Sequence, residues 1–135
     1  MRITDKIKEI ESYLQELVEI MPISLEEYRQ IKNKAACERY FEKIIEAVVD
    51  LSFLVIKDKG LKIPEDDKRA FDILAGEKII SIQLAEKLKD AKGMRNLISH
   101  EYGSVDDETV FSSITEELEK DVIEFIKDIK NILKK

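Results

Sequence analysis

One cysteine, one histidine, two prolines, four glycines and no tryptophan occur in 135 residues. A lone cysteine, Cys37, cannot close an internal disulfide and excludes a multi-cysteine zinc site. A lone histidine, His100, cannot supply the usual imidazole–carboxylate metal sets, so neither metal nor cofactor is expected. So little glycine and proline excludes a turn-rich β fold. No apolar run approaches the ~18 residues of a membrane span. The N-terminal stretch Met1–Lys6 lacks the apolar core of a signal peptide. The expectation is a soluble, cytoplasmic chain. A net charge of −6 argues against tight non-specific binding to nucleic acid. It leaves room for action on RNA through one local basic site.

What is abundant is charge and aliphatic surface, at 39% and 44% of residues. That mixture suits helices with one buried stripe and one solvated face, in a single all-α domain spanning residues 1–135. The first helix is expected over Thr4–Ile20, with Ile7, Ile10, Leu14 and Leu17 at helical steps and Pro22 stopping it. Ser24-Leu25-Glu26-Glu27 is a capping box. No breaker follows until Gly60, so this second helix is expected to run ~35 residues, to kink, or to stop early. Its C-terminal half, from Ile44 to Ile56, is apolar nearly all round, which marks a central helix or one that meets another subunit. A short helix over Asp66–Ala75 ended by Gly76, a helix over Ile80–Glu101 and one from Asp106 or Asp107 to Leu133 complete a bundle of about five.

The Ile80–Glu101 helix departs from a plain bundle pattern. On a wheel with Leu84 at zero, Leu88, Ala91 and Ile98 fall within about 40°, defining the apolar stripe. Arg95 falls at about 20° and Tyr102 at about zero, where aliphatic residues are expected. Ser99 lies near 60°, Asn96 near 120° and His100 near 160°, each angle approximate. A buried arginine needs a partner, because desolvating its charge is costly. The stripe therefore ends before Arg95 or faces a cleft there. Asn96 and His100, four apart, can point at one ligand. The plain alternative is a satisfied arginine and an exposed histidine at a helix end.

The stretch Arg95-Asn96-Leu97-Ile98-Ser99-His100-Glu101-Tyr102 resembles the signature of the HEPN superfamily. The Arg-x4-His-x-Tyr form resembles the HepT-type toxins within it. Glu38–Asp50, Gly60–Pro64 and Leu84–Leu88 share the family's look. The resemblance implies a helical bundle, a homodimer with the motif near the subunit interface, and metal-independent RNA cleavage. It further implies a type VII-like toxin–antitoxin pair, in which a minimal nucleotidyltransferase silences the toxin by moving AMP onto the motif tyrosine, here Tyr102. The rival reading is a non-catalytic module that binds the nucleotidyltransferase or its nucleotide.

Metal-free cleavage uses the ribose 2′-OH as nucleophile and needs a proton acceptor, a proton donor and positive charge on the phosphoryl oxygens. Histidine is the side chain that titrates near neutrality, so His100 is the expected acid or base. Arg95 offers a fork matched to phosphate, with Asn96 and Ser99 as supporting hydrogen-bonding groups. Arg95 and His100 diverge by about 140° around an ideal helix, which a dimer with two motifs in one cleft resolves. Gly93 either lets two helices approach closely or marks a bend. Lys87, Lys89, Lys92 and Arg95 give the helix either a local basic face that guides RNA or an ordinary solvated one.

Overall fold

The computed structural model describes residues 2–100 and 105–134, and among these there is no strand. The elements are α1 (Arg2–Ile20), α2 (Leu25–Tyr28), α3 (Ile31–Asp58), α4 (Asp67–Gly76), α5 (Ile82–His100), α6 (Asp107–Ser112), a π turn (Ser113–Leu118) and α7 (Glu119–Leu133). The expected all-α, up-down bundle is what forms.

The long second helix of the sequence reading breaks early. Ser24 caps α2, its Oγ accepting from the Glu27 N–H at 3.1 Å. The helix stops after Tyr28 without glycine or proline. The Asn33 side-chain amide donates to the Glu27 carbonyl at 2.8 Å, satisfying a backbone group that a continued helix would have used. The chain then restarts as α3. At the far end, Gly60 takes φ 68° and returns its N–H to the Lys57 carbonyl, ending α3 as expected.

α3 is the axis of the domain, packed by α1 on one side and by α4 and α5 on others. Ile44, Ile45, Ala47, Val48, Val49, Leu51, Val55 and Ile56 are all buried. Each such aliphatic larger than alanine contributes roughly 1.5–3 kcal/mol by leaving water. α3 is thus the central helix that this pattern allowed, while Phe53 and Leu54 of the same stretch are half-buried.

α4 begins where Asp66 accepts from the Arg69 N–H at 2.9 Å. It includes Gly76, and the left-handed residue that turns the chain is Lys78, at φ 61°, not the expected glycine. Ser81 caps α5 through the Leu84 N–H at 3.0 Å. The last expected helix is interrupted by the π turn. Its inner stripe, Val110, Ile114, Leu118, Val122, advances by four residues at each step, a drift of about 40° per step on an ideal α-helix. The wider π ring, closed by i→i+5 bonds, absorbs that drift. All four residues stay buried, along with Phe125 and Ile129 beyond them.

Candidate functional site

α5 carries four of the five residues the sequence singles out. The fifth, Tyr102, lies outside the described residues. Leu84, Ala85, Leu88 and Ile98 anchor the helix in the core. Between Leu88 and Ile98 the stripe has no fully buried residue, and Arg95 occupies that gap with a side chain one-fifth exposed.

Arg95 turns toward α3, where its Nη2 donates to the Glu46 carboxylate at 3.0 Å. Its Nε is buried and has no hydrogen-bond partner. One turn further along α5, the Ser99 hydroxyl donates to the Glu42 carboxylate, again on α3. Asn96 turns the other way, into a groove shared with Asp67 and Lys68 of α4 and with Lys92. His100 is the last residue of α5 and is exposed. The motif is therefore split within one chain. Arg95 and Ser99 face α3, while Asn96 and His100 lie on other sides of the helix.

Of the two readings of the α5 cations, the structure favours the ordinary solvated face, each cation beside an acid. Lys87 lies 3.8 Å from Asp121 of α7. Lys89 pairs with Asp72 at 3.0 Å and with Glu86 at 2.8 Å. Lys92 pairs with Asp67 at 3.2 Å. With Arg95 on Glu46, every cation of the expected patch has an acidic neighbour. Sequence reasoning missed these partners because most sit on α3, α4 and α7, far along the chain. Glu42 and Glu46 lay inside the segment that carried the family likeness but were assigned no role. Glu38, Glu42, Glu46 and Asp50 recur every four residues on this helix, so spacing alone does not single out the two that reach α5.

Gly93 has a neighbour within the chain. A Cβ built there meets only the end of the Lys68 side chain of α4, at 3.4 Å, an ordinary contact that makes no close helix approach within the chain. Cys37 is fully buried, and burial pushes its thiol up to about 11. It is a packing residue, as its place in an apolar helix implied. Elsewhere, a cavity of about 150 Å³ between α3, α5 and the π turn is lined by Phe41, Leu88, Met94 and Asp121. The buried Asp121 Oδ1 has no hydrogen-bond partner, and burial raises its carboxyl above the usual range, opposed by Lys87. Among the described residues no cluster of three or more His, Cys, Asp and Glu is disposed to hold a metal ion. No helix there is long and apolar enough to cross a membrane.

Comparison with known proteins matches the profile of one family, described as ribonuclease HepT-like, over residues 4–129. A protein of Archaeoglobus fulgidus is 33% identical over 128 residues, covering 93% of this chain and 96% of its own. The tRNA nuclease HepT of Aphanizomenon flos-aquae is 26% identical over 114 residues, 84% of this chain and 78% of its own. Among solved structures, the tri-AMPylated HEPN toxin of Shewanella oneidensis, in complex with an MNT antitoxin, superimposes with a TM-score of 0.88 at 23% identity, covering 96% of each chain.

Proposed function

The chain belongs to the ribonuclease HepT-like family, and from that premise we propose that it is the RNA-cleaving toxin of a cytoplasmic toxin–antitoxin pair. The observation that carries this reading is the family match over residues 4–129, which includes Arg95, Asn96, Ser99 and His100 on the last turns of α5. In this reading Arg95 holds the phosphoryl oxygens of the scissile phosphate, and its planar, permanently charged fork suits that task. His100 exchanges protons with the ribose 2′-OH or the leaving 5′ oxygen. Asn96 and Ser99 support them. No metal takes part.

The separation of Arg95 from His100 supports a composite site. Within one chain the guanidinium is turned onto α3 while the imidazole is exposed at the helix end. A twofold pairing of α5 helices brings the His100 of each chain toward a shared cleft, so that one acts as base and the other as acid. Leu97, between these groups and 42% exposed, supplies apolar surface for such a contact. The antitoxin in this reading is a nucleotidyltransferase. It joins the α-phosphate of ATP to the Tyr102 hydroxyl, pyrophosphate leaves, and the added phosphate competes with RNA for Arg95. A second reading, a non-catalytic module that binds the nucleotidyltransferase or its nucleotide, is favoured by the pairing of every cation on α5 with an acid.

The test is cleavage of RNA by purified protein in the presence of a chelator. Arg95→Ala and His100→Ala each lower the rate by about 10²-fold or more while circular dichroism stays helical. Cleavage at the wild-type rate by His100→Ala refutes the assignment, and a wild-type protein that binds the nucleotidyltransferase but cuts no RNA establishes the second reading. Light scattering gives about twice the 15.7 kDa chain mass; a fully active single chain refutes the composite site. Tyr102→Phe gains no AMP in intact-mass analysis after incubation with the antitoxin and ATP.

A further inference from the structure

Two carboxylates on α3 reach the motif and have no part in the roles above. Glu42 and Glu46 are one turn apart, as are Ser99 and Arg95 on α5. The two helices run antiparallel here, so the residues meet as two rungs, Glu46 with Arg95 and Glu42 with Ser99. Ile45 and Ile98, beside the rungs, are buried.

The first rung adds little to stability. The Glu46 side chain is 62% exposed, and pairs open to water are weak. Arg95 also keeps a buried Nε without a partner, which a pairing selected for stability would satisfy. What the rung does is geometric. A long arginine side chain has many rotamers; its burial against α3 limits them, and the Glu46 carboxylate favours the one that points at it. The second rung ties the turn of α5 that ends in His100 to the same rigid helix.

We propose that Glu46 and Glu42 are positioning residues of the cleavage site: Glu46 sets where the Arg95 guanidinium stands to meet the scissile phosphate, and Glu42, through Ser99, fixes the turn that presents His100. This inference rests on the nuclease reading. It differs from one in which Glu46 merely competes with phosphate for Arg95, because the two move kinetic constants in opposite directions. Loss of positioning lowers kcat, since the interaction matters most as charge develops in the transition state. Loss of a competitor lowers KM.

The experiment is steady-state cleavage of one defined RNA by the full-length protein, with thermal melts run alongside. Glu46→Ala lowers kcat by about 10- to 100-fold with KM within about twofold, the scale expected when a charged group is misplaced by about an ångström. Glu46→Gln, which keeps an oxygen to accept from Nη2, recovers most of that loss. In an Arg95→Lys background, where the fork is absent, the further cost of Glu46→Ala shrinks to less than about twofold; a purely structural role would leave it undiminished. Glu42→Ala and Ser99→Ala lower kcat by similar amounts, and their effects do not multiply. An unchanged kcat in Glu46→Ala, a lower KM, or multiplying effects of Glu46→Ala and Arg95→Lys overturns the proposal. If Glu46→Ala does not fold, Glu46→Gln against Glu46→Leu decides by the same criteria. A wild type that cuts RNA, with Arg95→Ala inactive but Glu46→Ala normal, removes the positioning role alone. A wild type that does not cut removes the nuclease reading itself.

Discussion

Gly93→Ala tests whether the space beside this glycine is as open as it is within one chain. Glycine inside a helix costs about 1 kcal/mol relative to alanine, partly through the freedom of the unfolded chain. The new methyl group meets the Lys68 Nζ at 3.4 Å and its Cε at 4.0 Å, and nothing else within 4 Å. These are ordinary contacts with the end of a flexible side chain. Lys68 has no ion-pair partner among the described residues, so it moves aside at little cost. Most of the propensity gain survives, and the variant is more stable by about 0.5–1 kcal/mol, or roughly 2–4 °C in Tm for a domain of this size. Thermal melts at two protein concentrations measure this, with light scattering on the same samples. The oligomeric mass stays that of the wild type. A fall in Tm at both concentrations refutes the argument from space around the glycine. A gain at low concentration with loss of the oligomer at high concentration shows that a second chain occupies that space.

Other substitutions read the same structure elsewhere. Asp121 is buried and its carboxyl is raised above the ordinary range, so its ionised form opposes folding at neutral pH. Stability contributed below the unfolded carboxyl value is lost as pH rises through the folded one, so Asp121→Asn is stabilising at pH 7 in urea melts and nearly neutral around pH 4; a loss at pH 7 shows that the Lys87 attraction outweighs burial. Cys37, held at about 11, resists iodoacetamide in the native protein at pH 8 and reacts on unfolding. Its contribution to stability is present below the ordinary thiol value of 9.0 and falls as pH rises toward about 11, a decline that Cys37→Ala lacks. Asn33→Ala removes the amide that closes α2 and costs about 1 kcal/mol; no loss shows that the Gln30 N–H, which donates to the same carbonyl at 3.2 Å, suffices.

What the sequence made legible divides along the range of the interactions involved. The Ser24 cap, the Gly60 stop and the inner stripe from Val110 to Ile129 are local patterns and form as read, although the Glu27 carboxylate accepts from the Ile23 N–H and the π turn interrupts the last helix. The end of α2 did not announce itself, because its signal is a side-chain amide six residues on from the carbonyl it satisfies. The lysines of α5 looked like an open basic face because a wheel shows one helix at a time; Asp67, Asp72 and Asp121 arrive from other helices. The same limit hid Glu42 and Glu46, since only the α3–α5 contact reveals what they hold. Arg95 was legible as an anomaly on the stripe, and its ion pair with α3 is the partner that a partly buried guanidinium requires.

The π turn gives the last helix a spare residue. An i→i+5 ring holds one more residue than the ring it replaces, so the helix past Leu118 is phased by a single extra position. Deleting any one exposed residue among Thr115, Glu116 and Glu117 removes no buried contact of its own. It lets an unbroken α-helix form, in which Ile114, Leu118, Val122, Phe125 and Ile129 all fall within about 40° of Val110. Deleting the equally exposed Glu124, beyond the π ring, instead rotates Phe125 and Ile129 by about 100° out of the interior. A point substitution at either position is an ordinary surface change. The domain thus holds one dispensable residue at one place, and a deletion scan finds it where an alanine scan cannot.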